Sequence, residues 1–285
     1  MRVQAADRPV DTTAAAAAEA VPIIEIARLD KTFVTVRNDR IRALDDISLR
    51  VREREFVTVV GPSGCGKTTL LKILAGLVPP SAGAVRVAGS PVAAPRRDIG
   101  IVFQNPVLLP WRTVLDNVLL PAEVQDIPLG LARARAGELL KMVGLAEFAD
   151  KYPMELSGGM QQRAAISRAL VSDPKLLLMD EPFGALDAMT REQMNLELQR
   201  IWRESGKTVL LITHSIPEAV FLGDRVVVMT PRPGRIARII DVPIPRPRPI
   251  DAMGDPLFAR LTGDIRRLLY GQGDAGAPGL AGGLS

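Results

Sequence analysis

Only one cysteine, Cys65, and one histidine, His214, occur in the 285-residue chain, and aromatic residues make up just 4% of it. A lone thiol cannot close an internal disulfide, which argues against a disulfide-stapled secreted scaffold and is compatible with a reducing cytosol. No uninterrupted apolar stretch reaches the roughly 18 to 20 residues that a bilayer-spanning helix needs, so the chain is not expected to cross a membrane by itself. Charge of one sign is also missing. Thirty-six Lys and Arg stand against 32 Asp and Glu, a net of +4, which is too small to suggest a surface that tracks nucleic acid. Lysine is scarce, and most of the positive charge is arginine. With 47% hydrophobic and 24% charged residues the composition is ordinary for a globular protein, which excludes a mostly disordered or collagenous one. The length suggests one large domain or two lobes that share a core.

Residues 1–20 are Ala-rich, carry Asp7, Asp11 and Glu19, and lack the Leu/Ile-rich centre of a signal peptide. They are read as a low-complexity tail, as are the Gly-rich residues 271–285, with one folded domain expected over 21–270. Short β-type runs begin the domain: IIEIARL, KTFVTV, IRALDDISLRV and EFVTVVG. The last is nearly continuous in apolar residues, as in a parallel strand buried on both faces, and is followed at once by a glycine-rich turn and the helix TTLLKILAGL. Apolar residues recur at helical spacing between about 105 and 160, which predicts a helical lobe. PKLLLMDEP and KTVLLITHS are strand-type runs ending in polar residues, where open α/β sheets place their ligands. DRVVVMT and RIARII read as later strands, and DPLFARLTGDIRRLLY as an amphipathic terminal helix.

Gly61, Pro62, Ser63, Gly64, Cys65, Gly66, Lys67 and Thr68 fit the pattern GxxxxGK[ST] and lie between the predicted strand and helix, followed by Thr69. Glycines let the backbone wrap a phosphate with its N–H groups while the helix points its positive end at the same anion. Lys67 is placed to reach the β- and γ-phosphates of a nucleotide and Thr68 to ligate Mg²⁺. Cys65 lacks any Cys or His partner in the loop and is read as a small filler. Leu176 to Glu181 supplies the second half of such a site, a buried strand ending in Asp180, which can hold Mg²⁺ through water. Glu181 beside it can orient and deprotonate an attacking water. Two acids alone would be read as a solvated strand end; the phosphate loop reverses that reading.

Leu156 to Arg163, LSGGMQQR, opens the predicted helix QQRAAISRAL with Ser157, Gly158 and Gly159, giving a second helix N-terminus suited to a phosphate. Lying between the phosphate loop and the acidic strand, it resembles the signature of the ABC ATPases. The resemblance covers roughly residues 23–231 and implies an α/β P-loop NTPase of ABC type: a RecA-like parallel-sheet core, an antiparallel β subdomain and a helical subdomain. It further implies that Gln104 reads Mg²⁺ and the attacking water, that Asp187 belongs to a loop crossing a dimer interface, and that His214 contacts the γ-phosphate. Phe33 resembles the aromatic residue that stacks on adenine. In the family two ATPase subunits associate head to tail, so that Ser157, Gly158 and Gly159 close over the partner's ATP.

One compact nucleotide unit, without inserted coiled coils or zinc modules, is similar to the separate ATP-binding subunit of a bacterial-type importer. A soluble ABC ATPase acting on nucleic acid or ribosomes is the alternative weighed against it. LSGGMQQR, FGALDAMTRE and MTPRPGRI resemble the nitrate, aliphatic sulfonate and taurine importer subfamily. That implies a homodimer on the cytoplasmic face of the inner membrane, bound to permease subunits and served by an external solute-binding protein. Val107 to Thr113 resembles the segment that receives the permease, although Trp111 also fits a core position. The arginines 232, 235, 238, 246 and 248 are expected on a solvated face. All the catalytic motifs are intact, which implies an active ATPase.

Overall fold

The computed structural model describes residues 22–271. The two expected tails lie outside the described residues, Gly271 excepted. Six strands form the main sheet: β3 (Phe56–Val60), β6 (Ile99–Val102), β7 (Leu176–Asp180), β8 (Thr208–Ile212), β9 (Arg225–Met229) and β10 (Ile236–Asp241). Their spatial order is β10-β9-β3-β8-β7-β6, parallel except for β10, which runs antiparallel against β9. A second, antiparallel sheet has the order β2-β1-β4-β5, from β1 (Ile24–Val34), β2 (Arg40–Val51), β4 (Ala82–Val87) and β5 (Ser90–Pro91).

Alternation along the central strands divides the interior in two. Phe56 and Val60 of β3, Leu177 and Met179 of β7, and Val209 and Leu211 of β8 point into one apolar cluster. Val57, Val59, Leu176, Leu178, Leu210 and Ile212 point into the other. Successive side chains of a strand face opposite sides, so a run apolar throughout can only sit between two cores. The first core is shared with α2 (Val114–Val124), α3 (Leu129–Met142), α4 (Gly158–Leu170), α5 (Ala188–Ser205), α6 (Ile216–Leu222) and the amphipathic α7 (Pro256–Tyr270). The second is shared with the antiparallel sheet and α1 (Lys67–Leu74).

Two details differ from the sequence reading. IIEIARL and KTFVTV are one strand, whose pairing with β2 slips at three points and bends around Arg28, a residue with φ 47°. The arginine run is a solvated face only in part: Arg232, Arg235 and Arg238 are exposed, whereas Arg246 is partly buried and Arg248 fully so. Arg235 pairs with Asp45 and Arg246 with Asp224, while Arg248 is 1% exposed and donates to the carbonyls of Val220, Phe221, Gly223, Val242 and Ile244. Only Arg232 and Arg238 of the five lack a carboxylate or a burial site among the described residues. No helix among the described residues is long and apolar enough to cross a membrane.

Candidate functional site

The carboxyl ends of β3, β7 and β8 lie side by side in the sheet, and each ends in polar residues the sequence singles out. β3 runs into the loop 61–66, which closes on α1 through Gly66. Gly66 has φ 101°, and a Cβ there would stand 2.7 Å from Leu44 Cδ2 and 2.8 Å from the Ala43 carbonyl. Both the left-handed turn and the close approach of β2 therefore require glycine. Lys67 is buried at the loop floor, its Nζ donating to Gly61 O at 2.8 Å and Pro62 O at 3.2 Å. Cys65 is 1% exposed, and its burial pushes the thiol's pKa up, which suits packing and not nucleophilic attack.

Phe33, Ser63, Gly64, Gly66, Lys67, Thr68, Thr69 and Glu181 line one open cavity of about 280 Å³. The ammonium of Lys67 and the N-terminus of α1 make its floor positive, as an anion site demands. Lys31 Nζ stands 4.9 Å from the centre of the half-exposed Phe33 ring at the rim. Thr68 Oγ1 donates to Asp180 Oδ1 at 3.3 Å. Burial raises the Asp180 pKa, the Thr68 bond partly opposing it and Glu181 adding to it. A cation would offset that penalty, and two hard oxygens from a hydroxyl and a carboxylate fit Mg²⁺ completed by water and phosphate. Among the described residues no group of three or more His, Cys, Asp and Glu side chains could hold a metal alone.

Glu181 faces this cavity from β7 and meets His214, beyond the end of β8, at 3.1 Å between Oε2 and Nδ1. Its backbone has φ 48°, a left-handed conformation costly for a residue with a side chain and common at functional sites. Gln104 follows β6 and is exposed; a Cβ on Gly184 would stand 3.0 Å from its Nε2, which places the amide at the turn just after Glu181. A carboxylate held by an imidazole, beside a cationic phosphate cradle and an oxygen pair for a divalent ion, can activate water against a phosphoryl group.

Ser157, Gly158 and Gly159 do not join this cavity. Ser157 caps α4, its Oγ accepting from Met160 N at 3.3 Å, and Ser157 and Gly159 line a separate open cavity with Arg163, Thr190 and Glu197. Asp187 caps α5, accepting from Thr190 N at 3.0 Å and Thr190 Oγ1 at 2.6 Å, bonds that hold its carboxyl below the usual range. Trp111 is 72% exposed, which settles it as a surface residue; Val107, Tyr152 and Met154 are exposed in the same lobe.

Sequence reasoning missed three residues here. Arg232 lines the phosphate-loop cavity, Gln162 is buried in α4 with Nε2 donating to Phe103 O at 3.3 Å, and Glu218 is buried in a small cavity beside Glu181 and His214. The Arg-Pro-Gly turn after a strand was visible, but its position beside the phosphate loop depends on β9 pairing with β3.

Residues 44–184 match the family model described as ABC transporter. The chain is 48% identical to the taurine import ATP-binding protein TauB of Rhizobium johnstonii, over 85% of this chain and 95% of that protein. It is 45% identical to the nitrate import ATP-binding protein NrtD of Synechococcus elongatus, over 84% of this chain and 89% of the relative. Among solved structures it resembles, at 36% identity, a dimeric post-hydrolysis ATP-binding cassette bound to ADP and Pi, with a TM-score of 0.66 over 77% of this chain and 98% of the other.

Proposed function

The chain belongs to the ABC transporter family, of which it is an ATP-hydrolysing subunit, and on that premise we propose that it powers uptake of a small anion such as nitrate, an aliphatic sulfonate or taurine through a separate permease. The observation that carries the site reading is the meeting of Lys67, the Thr68–Asp180 pair and the Glu181–His214 pair at the carboxyl ends of adjacent strands. The importer reading is supported by the taurine and nitrate import relatives and by the exposed Val107 and Trp111. These apolar residues fit a permease contact at the cytoplasmic face of the membrane, where the subunit sits peripherally.

In the proposed cycle two copies bind two ATP head to tail, each cradled by one chain's phosphate loop, with Phe33 against adenine, and closed by the partner copy's Ser157–Gly159. Thr68 and Asp180, with Gln104 facing the same cluster, would hold Mg²⁺, which would neutralise charge on the phosphates. Glu181, aligned by His214, takes a proton from water as its oxygen bonds to the γ-phosphorus and the bridging P–O bond to ADP breaks. Lys67 stabilises the charge that develops. The solute itself is chosen by the permease and an external binding protein.

Glu181→Gln keeps ATP binding and loses turnover by about 10²-fold or more, and it accumulates as a dimer with ATP. Phosphate release and gel filtration read both outcomes, and turnover at the native rate would remove Glu181 from its role. Tagged Glu181→Gln protein incubated with ATP and solubilised membranes should recover a multi-span permease. Recovery of ribosomal or nucleic-acid factors alone would overturn the importer reading.

A further inference from the structure

The loop between β9 and β10 is clamped to β2 and packs against the phosphate loop. Gly234 N donates to Ala43 O at 3.0 Å, Gly234 O accepts from Asp45 N at 3.0 Å, and a Cβ on Gly234 would stand 2.0 Å from the Cys65 carbonyl. No residue other than glycine lets the two loops lie this close. Arg235 fastens the far side of the loop to Asp45. Two residues before the first of these anchors, Arg232 turns toward the cavity that holds Lys67 and Thr68, its Nε donating to Gly64 O at 3.2 Å. A Cβ on Gly64 would stand 3.4 Å from Arg232 Nη2, so the guanidinium lies against the loop backbone itself.

Its chemistry differs from that of Arg235, Arg246 and Arg248, and it differs from the likewise unpaired Arg238 in lining the phosphate-loop cavity. Arg235 and Arg246 are ion-paired, and Arg248 is buried under carbonyls, whereas no carboxylate among the described residues lies within ion-pair range of Arg232. One N–H is committed to a backbone carbonyl, which orients the group; the Nη hydrogens have no acceptor among the described residues. A planar, permanently charged fork, pre-oriented at the rim of a cavity whose floor is already cationic, matches a phosphate better than any neutral ligand.

From this placement we infer that Arg232 is a nucleotide-binding residue, a second side-chain cation beside Lys67 for the polyphosphate chain, supplied by the β9–β10 loop. The inference rests on the nucleotide-site reading above. It also gives the loop a purpose, since the clamp through Gly234 and Arg235 keeps the guanidinium at the phosphate loop.

The test is calorimetric binding of Mg·ATP and Mg·ADP to the full chain and to Arg232→Ala, Arg232→Lys and Arg232→Gln, with Lys67→Ala as control. Arg232→Ala is expected to weaken both nucleotides about five- to tenfold, raising KM by a similar factor and leaving kcat within about twofold. Arg232→Lys keeps the charge and recovers most of the loss at low salt. Arg232→Gln can still donate to the Gly64 carbonyl but carries no charge, and should bind as poorly as the alanine variant. Native affinity in Arg232→Gln would mean that the side chain only fastens the loop, and native affinity in Arg232→Ala would mean that it touches no nucleotide; either overturns the inference. Should the unsubstituted chain fail to bind ATP, or Lys67→Ala bind it normally, the site reading falls instead.

Discussion

The carboxyl of Glu218 lies at the first turn of α6, 4% exposed, in the small cavity shared with Glu181, Arg191 and His214, and its Oε1 has no hydrogen-bond partner. Burial raises its pKa above the ordinary 4.5, with the Thr213 hydroxyl and Arg191 opposing the shift. The folded state then holds a proton that the unfolded chain releases, so stability is lost as pH rises from the unfolded value toward the folded one. Glu218→Gln removes this loss. Its urea midpoint should exceed that of the unsubstituted chain at pH 8 and approach it near pH 4; a difference of the same size at both would assign the effect to packing. Residues such as Lys67, Asp180 and Glu181 were legible because their role is fixed by their place in a local pattern. Glu218 and Arg232 were not, because each acquires its surroundings from elements distant in the chain: Arg232 meets Gly64 only through the β3–β9 pairing.

At the scale of elements, α6 shows how a short helix is held. It begins just after His214 with Ser215 as its cap, accepting from Glu218 N, and has only seven residues. A helix this short is marginal by itself. Its last carbonyls, those of Val220, Phe221 and Gly223 just beyond, accept from Arg248 Nη1, whose backbone is in turn bonded to Gln199 of α5 through both N and O. Burial pushes the Arg248 pKa down to about 10, and the charge survives because five carbonyls surround it. Arg248→Met leaves those acceptors buried without donors and should destabilise the fold by roughly 3 kcal/mol or more, seen as a lower denaturant midpoint. The strands were readable from apolar alternation, yet this strap was not: Pro245 to Pro249 looks like solvated loop, and the acceptors that bury Arg248 precede it by up to 28 residues. β5 was also missed, since a strand as short as Ser90–Pro91 has too few residues to display a period, and so was β4, whose first half, AGA, carries no β-type side chain.

For the whole molecule, Ser157 and Gly159 line a cavity separate from that of the phosphate loop, and in the proposed cycle the two are half-sites. If each completes the partner's, a mixture of Lys67→Ala and Ser157→Arg chains contains dimers in which one site is wholly native. Each variant alone should be nearly inactive, and an equimolar mixture should regain activity up to about a quarter of the native ATPase rate, the ceiling for independent sites, since half the dimers are mixed and each has one of two sites intact. No recovery on mixing would place each site within one chain. Gln162 gives this arrangement a further property. Its amide bonds α4, which carries the proposed second cradle, to the Phe103 carbonyl, one residue before Gln104. If this bond couples the two cradles, the paired sites are expected to answer ATP cooperatively, with a Hill coefficient between about one and two, and Gln162→Ala to lower it toward one.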